Sequence, residues 1–323
     1  MPILSRFAPV LLLATLALAG CATTTSIAAT APTADSPVIV RNCGTAVTFT
    51  TAPRRVVTIK STSTEMLLAL GLGDRIVGTA FQDGRLPADL AQQAPALTSI
   101  GDQFPSEEVV LNTQPDMVFS GWESAFAPDA AGARTELAKL GIASYVSPSA
   151  CRSADQPKKL SFDDVFGDIS QVASIFRVDA TPLLTAQKQQ LAAITPAGKG
   201  RSAFWYSSGT DTPYAGAGIG APELVLETVG LKNIAAGVNA SWAPLSWEAV
   251  VAADPDFIVL IDASWNTVAK KIDLLQSNPA TANLAAVKNG RYLVLPFASS
   301  EAGVRSVEAA ASIQKQITKL DGN

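Results

Sequence analysis

Residues 161–195, SFDDVFGDISQVASIFRVDATPLLTAQKQQLAAIT, read as helix almost throughout. Two segments are predicted, 162–176 and 179–194. The second is about 24 Å long at the usual rise per residue, roughly the height of a small lobe. What precedes this connector is written again after it. Ser106-Glu107-Glu108-Val109-Val110 leads to Gln114-Pro115-Asp116-Met117-Val118-Phe119, and Ser246-Trp247-Glu248-Ala249-Val250 leads to Asp254-Pro255-Asp256-Phe257-Ile258-Val259. Ser, Glu, Pro and Asp recur at the same offsets. A short helix opened by a Ser N-cap, then Pro-Asp feeding a buried β-branched strand, explains each run physically. Two such runs flanking one helical segment predict an α/β fold with two similar lobes at 38–160 and 198–323, joined by connector helices at 161–197. A helical strut resists bending, so the expected closure between lobes is modest.

Outward from the connector, strands alternate with helices. In the first half, strands are predicted at 55–59, 75–80, 117–119 and 143–146, with helices at 66–70 and 131–140. In the second, strands at 202–206, 257–261 and 291–295 alternate with helices at 221–228 and 307–320. This alternation argues for mostly parallel sheets flanked by helices. In such sheets ligands sit outside the carboxyl ends of the strands. The segment 60–65, Lys-Ser-Thr-Ser-Thr-Glu, ends one strand and opens a helix, with Thr62 and Glu65 at capping-box spacing. It is either a site for an anionic group or plain capping beside a solvated lysine. The glycine-rich loop 216–220 lacks the spacing of a dinucleotide fingerprint.

Composition narrows the function. The 323 residues suffice for two domains, and the chain is 48% hydrophobic with a net charge of −4 and no basic run. Nucleic acid is therefore not the expected partner. Histidine is absent, which removes imidazole-ligated zinc, Ser-His-Asp hydrolysis and His proton shuttling together. At the N-terminus, Arg6 precedes an apolar run, 7–18, that is too short for a stable membrane span. It ends in Leu18-Ala19-Gly20-Cys21, which resembles a bacterial lipobox and implies cleavage after residue 20 and lipidation of Cys21. An ordinary secretory signal is the alternative. Residues 21–37 lack apolar periodicity and are expected to form a flexible tether. Export leaves Cys43 and Cys151 either paired in an oxidising compartment or as two buried thiols. Neither spacing suggests a metal site.

The doubled Ser-x-Glu-x6-Pro-Asp run, the connector and the lipobox together resemble the helical-backbone (class III) substrate-binding proteins of ABC importers, which serve ferric siderophores, cobalamin and related bulky ligands. The resemblance covers the chain from about residue 38 onward. It implies a monomeric, lipid-anchored protein on the extracytoplasmic side, periplasm or cell surface, that delivers a small molecule to a permease and its ATPase and carries no resident cofactor. It also implies that Glu108 and Glu248, one per lobe, dock onto permease arginines. The plainer role of each is to stabilise a helix N-terminus. Asn42-Cys43-Gly44, the run 60–67 (KSTSTEML), Gly121-Trp122-Glu123-Ser124 and Ser147-Pro148-Ser149-Ala150-Cys151 look like one subgroup, the binding proteins for the deazaflavin coenzyme precursor F(420)-0. That ligand has a flat ring, a ribityl chain and a phospholactate tail.

The residues suit such a ligand in two ways. All five tryptophans, Trp122, Trp205, Trp242, Trp247 and Trp265, fall at predicted strand ends, loops or a helix start, as do Phe81, Tyr206 and Phe297. Of these, Trp122, Trp205, Trp242, Trp265, Phe81, Tyr206 and Phe297 are the candidates to stack on a planar ring. Lys60, the hydroxyls of Ser61, Thr62 and Ser63, and Arg305 are the candidates for its anionic groups. Two other classes compete, an exported enzyme on the same frame and a structural surface lipoprotein. The first lacks a nucleophile elbow or a carboxylate pair placed together by spacing, with Asp83, Glu123 and Asp262 scattered. The second has no need of two tryptophan-edged lobes.

Overall fold

The computed structural model describes residues 36–94, 96–152 and 159–322. The predicted leader, Cys21 and nearly all of the tether lie outside the described residues. The chain opens with a hairpin, β1 (Val38–Asn42) and β2 (Thr45–Phe49). There follow β3 (Val56–Ile59), α1 (Ser61–Ala69), β4 (Ile76–Ala80), α2 (Ala88–Gln93), β5 (Ser99–Gly101), α3 (Glu107–Asn112), β6 (Met117–Ser120), α4 (Arg134–Lys139) and β7 (Ala143–Val146). Next come α5 (Phe162–Phe176) and α6 (Thr181–Ala192). The second half runs β8 (Ser202–Ser208), β9 (Tyr214–Gly216), α7 (Ala221–Thr228), β10 (Lys232–Asn233), β11 (Trp242–Pro244), α8 (Trp247–Ala253), β12 (Phe257–Asp262), α9 (Val268–Ser277), α10 (Ala285–Lys288), β13 (Tyr292–Pro296) and α11 (Ser306–Asp321).

The first sheet is parallel throughout, in the order β5-β4-β3-β6-β7. Its side chains alternate between two helix-covered faces, as the period of a strand requires. Val56, Met117, Phe119 and Tyr145 pack with Met66, Leu67 and α5 on one face. Val57, Ile59, Val118 and Val146 pack with Val110 and Leu137 on the other. The second sheet runs β11-β9-β8-β12-β13, with β10 beside the start of β8. Here β8, β12 and β13 are parallel, whereas β9 and β11 form an antiparallel edge. The expectation of mostly parallel sheets flanked by helices therefore holds, with this edge and the β1–β2 hairpin as additions.

Three local readings need correction. First, α1 begins at Ser61 rather than residue 66, and no capping box forms between Thr62 and Glu65, because Glu65 faces Arg305. Second, the connector is two helices as expected, meeting near Arg177, whose left-handed φ of 57° ends α5, but the second, Thr181–Ala192, is shorter than the predicted 179–194. The capping box lies instead at Ser161 and Asp164. Third, the apolar face of α5 (Val165, Phe166, Ile169, Val172, Phe176) is embedded in the main core together with Ala221, Leu224 and Val307. The connector thus supplies a central packing element.

The β1–β2 hairpin turns through Cys43 and Gly44, both at positive φ (47° and 76°), the backbone that two-residue hairpin turns favour. Cys43 is disulfide-bonded to Cys151, with 5.0 Å between their Cα atoms. The Asn42 side chain donates to Val146 O and accepts from Val146 N, each at 2.8 Å, and so pins the hairpin to β7. Among the described residues, no helix is long and apolar enough to cross a membrane.

Candidate functional site

The carboxyl ends of the strands of both sheets face one cavity of about 420 Å³. Thr62 follows β3, Gly121 and Trp122 follow β6, and the segment from Ser147 to Arg152 follows β7. From the second sheet come Ser207 and Ser208 at the end of β8, Tyr214 and Trp242 on the antiparallel edge, Trp265 after β12, and Phe297 and Glu301 after β13. Among the described residues, the lining therefore combines five aromatic side chains with serine and threonine hydroxyls, and its charged members are Arg152 and Glu301. Gly121 is required where β6 passes over α1, because a Cβ there would sit 2.2 Å from Thr62 Oγ1.

Behind this lining lies a buried ionic cluster. Lys60 is fully buried and pairs with Asp83. Its ammonium lies 3.9 Å from the centroid of a Trp122 ring, 4.1 Å from that of Phe81 and 4.9 Å from that of Phe297. Asp83 also accepts from Ser61 N at 3.3 Å, and its own N–H donates to Ser61 Oγ at 2.8 Å. Three polar contacts cross between the halves of the chain at this point. Glu301 accepts hydrogen bonds from Trp122 Nε1 and, at 3.5 Å, from Thr62 Oγ1. Arg305 Nη1 lies 3.5 Å from Glu65 Oε1. Burial pushes the Glu301 carboxyl up to about 7, with Asp83 adding to the effect. Burial likewise raises Glu65 to about 7, against the opposing pull of Arg305.

Residues 56–298 match the family described as periplasmic binding protein. The chain belongs to the periplasmic binding protein family. It is 26% identical over 328 residues to the uncharacterised ABC transporter substrate-binding lipoprotein YvrC of Bacillus subtilis, covering 95% of each chain. Among solved structures it is similar to a periplasmic binding protein from Veillonella parvula, with a TM-score of 0.75 and 26% identity over 87% of this chain and 97% of that one. A second is the ABC-type Fe3+-hydroxamate transport system from Saccharomonospora viridis, with a TM-score of 0.74 and 27% identity over 87% of this chain and 98% of that one.

In this binding protein the candidate ring-stacking residues separate into two groups. Trp122, Trp242, Trp265 and Phe297 line the cavity. Phe81 stands behind them, edge-on to Trp122 with centroids 5.7 Å apart. Trp205 and Tyr206 do not reach the cavity, which corrects the reading of both as ligand contacts. The strand continues to Ser208, so both rings lie mid-strand and point into opposite cores, Trp205 against Leu226 and Tyr206 against Trp247. Their relative exposures are 0% and 1%. Trp247 is buried with them, its indole N–H bonded to Thr210 O.

The anion-holding set is corrected as well. Lys60 is spent on Asp83, Ser61 on the same carboxylate loop, and Ser63 on the carbonyls of Ile59 and Lys60. Arg305 is buried between Glu65 and Glu308 and does not line the cavity. Of that set, Thr62 alone is a lining residue. Sequence reasoning missed Arg152 and Glu301. Arg152 lies just past the string 147–151 quoted above, and Glu301 four residues past Phe297.

Glu108 and Glu248 are exposed in the first turns of α3 and α8, which are N-capped by Ser106 and Ser246. The Glu248 carboxyl is held below its ordinary range by its own backbone N–H and by the Ser246 hydroxyl. Each helix leads into a strand of its sheet, β6 or β12, so both N-termini lie toward the strands' carboxyl ends.

Proposed function

We propose that this protein captures a bulky organic ligand between two lobes, 38–160 and 198–323, and delivers it to an ABC permease and its ATPase. In this reading the lipid on Cys21 holds the protein to a membrane on the extracytoplasmic side, and residues 161–197 join the lobes. The observation that carries the reading is a cavity at the carboxyl ends of both sheets, lined by Trp122, Trp242, Trp265 and Phe297 together with serine and threonine hydroxyls. Its volume falls within the range of pockets that enclose drug-sized ligands. Indole and phenyl faces stack on a planar ring, and the serine hydroxyls suit a polyol chain. The ligand that matches both is the deazaflavin precursor F(420)-0. A ferric hydroxamate is the second reading, favoured by the Saccharomonospora viridis relative. Capture and release, not turnover, is the expected chemistry.

Native mass spectrometry of residues 22–323, titrated in parallel with F(420)-0, a ferric hydroxamate and cobalamin, tests the ligand. A stoichiometric complex with the deazaflavin and quenched tryptophan fluorescence is the expected result. Binding only to the ferric hydroxamate would replace it with the second reading. The docking role is tested by Glu108→Ala combined with Glu248→Ala. Uptake is expected to be lost while the isolated protein still binds ligand, since both side chains are exposed and outside the cavity lining.

A further inference from the structure

The buried cluster behind the cavity does not balance its charges pair by pair. Lys60 takes Asp83 and Arg305 takes Glu65. That leaves Glu301, whose hydrogen-bond donors among the described residues are the neutral Trp122 indole and Thr62 hydroxyl. A carboxylate has roughly four acceptor positions, so two stay open for a donor brought by a ligand. Among the described residues, the cationic member of the lining is Arg152, an exposed side chain just after Cys151; the disulfide to Cys43 anchors its neighbour, and its backbone N–H donates to Glu123 Oε2 at 2.6 Å. The two charges stand apart. Glu301 meets residues that follow β3 and β6, whereas Arg152 follows the edge strand β7. Strand spacing places the ends of β3 and β7 roughly 10 Å from one another along the sheet.

We infer that the cavity reads ligand polarity: Glu301 receives a hydrogen-bond-donating ring edge, and Arg152 receives an anionic group carried on the same molecule. The inference rests on the cavity being a ligand site but not on the identity of the ligand. It reverses the polarity expected from the sequence, in which the segment 60–63 and Arg305 would have held the anion. A guanidinium offers a planar fork of donors to a phosphate, carboxylate or sulfonate. A carboxyl group with open acceptor positions beside aromatic faces instead rewards an N–H at that end.

Two probes share a pair of aromatic rings and an N–H, and they differ only in one sulfonate. They are anilinonaphthalene sulfonate and N-phenylnaphthylamine. Fluorescence titration of residues 22–323, which contain every core described above, compares their dissociation constants. The wild type is expected to favour the sulfonated dye by about tenfold, the scale of one good charge-assisted contact. Arg152→Gln should erase that preference with little change for the neutral dye, and Arg152→Glu should invert it. Arg152 is exposed, so neither variant threatens the fold. Glu301→Leu should weaken both dyes by a similar factor and leave the preference standing. A preference that survives Arg152→Gln, a wild type that binds the two dyes equally, or one that binds neither would overturn the inference. Failure to bind F(420)-0 would overturn only the ligand reading above, because no dye arm depends on it.

Discussion

The residue that most changes the picture drawn from sequence is Lys60. It sits at a left-handed φ of 79°, ends β3, opens α1 and is fully buried. A cation there survives because Asp83 neutralises it and three aromatic faces surround it. The cost of that arrangement is passed to Glu301, the neighbouring acid that gains no cation of its own. Its folded-state value of about 7 stands above the ordinary 4.5. Between those values the native state keeps a proton that the unfolded chain has lost. Its contribution to stability is therefore fully present below about 4.5 and is lost as pH rises through about 7. Glu65 and Asp168, both also raised to about 7 by burial, contribute in the same direction. The groups facing Glu301 are Asp83, which raises it, and Lys60, Trp122 and Thr62, which lower it. Glu301→Gln keeps an acceptor oxygen for Trp122 but cannot titrate. Its Tm should fall less steeply than that of the wild type between pH 4.5 and 7. Equal slopes would mean that Glu301 titrates normally in the folded protein.

At the scale of elements, strands buried on both faces and helices with strong periodicity were legible. Segments 162–176, 143–146 and 221–228 coincide with α5, β7 and α7. What was not legible was decided by pairing at a distance. Asp83 lies 23 residues from Lys60 in sequence, and only the adjacency of β3 and β4 brings the two together. Trp205 and Tyr206 read as a strand end because the two serines that follow hide the continuation of β8 to Ser208. The edge strands β9 and β11 are three residues each, the first running into the glycine-rich loop 216–220, and carry no periodic signal. The β1–β2 hairpin was not read from the sequence, where Asn42-Cys43-Gly44 served only the family resemblance, and the Cys43–Cys151 bond makes it consequential. That bond closes a loop with a sequence separation of 108, long enough for an unfolded-state entropy effect of about 4 to 5 kcal/mol. It also anchors the loop after β7, whose Cys151 and Arg152 line the cavity. Cys43→Ala with Cys151→Ala should lose about 2 to 5 kcal/mol in urea unfolding. It should weaken the sulfonated dye more than the neutral one, because the loop carrying Arg152 loses its tie. Unchanged dye selectivity would show that Asn42 and Arg134, which also bind the hairpin to β7, hold the loop unaided.

For the whole molecule the question is whether two sheets, each with its own helices, behave as two folding units or one. Each half is large enough to fold alone, and multidomain chains commonly unfold in steps. The main core argues otherwise. One cluster joins Val56, Met117 and Phe119 of the first sheet to the inner face of α5, and through it to Ala221, Leu224 and Val307 of the second half. The buried Arg305–Glu65 pair and the Glu301 contacts cross the same boundary. Unfolding one half would strip apolar surface and strand buried charge on the other, so neither half can leave without a penalty of several kcal/mol. Scanning calorimetry should therefore show one transition, with calorimetric and van't Hoff enthalpies in agreement. Ile169 is fully buried at the centre of α5. Ile169→Ala should cost about 2 to 5 kcal/mol and move the whole transition to lower temperature without splitting it. Two resolved transitions in the wild type would refute the shared core. A split that appears only in the variant would instead locate the coupling in α5 itself, making the connector the element through which one half senses the state of the other.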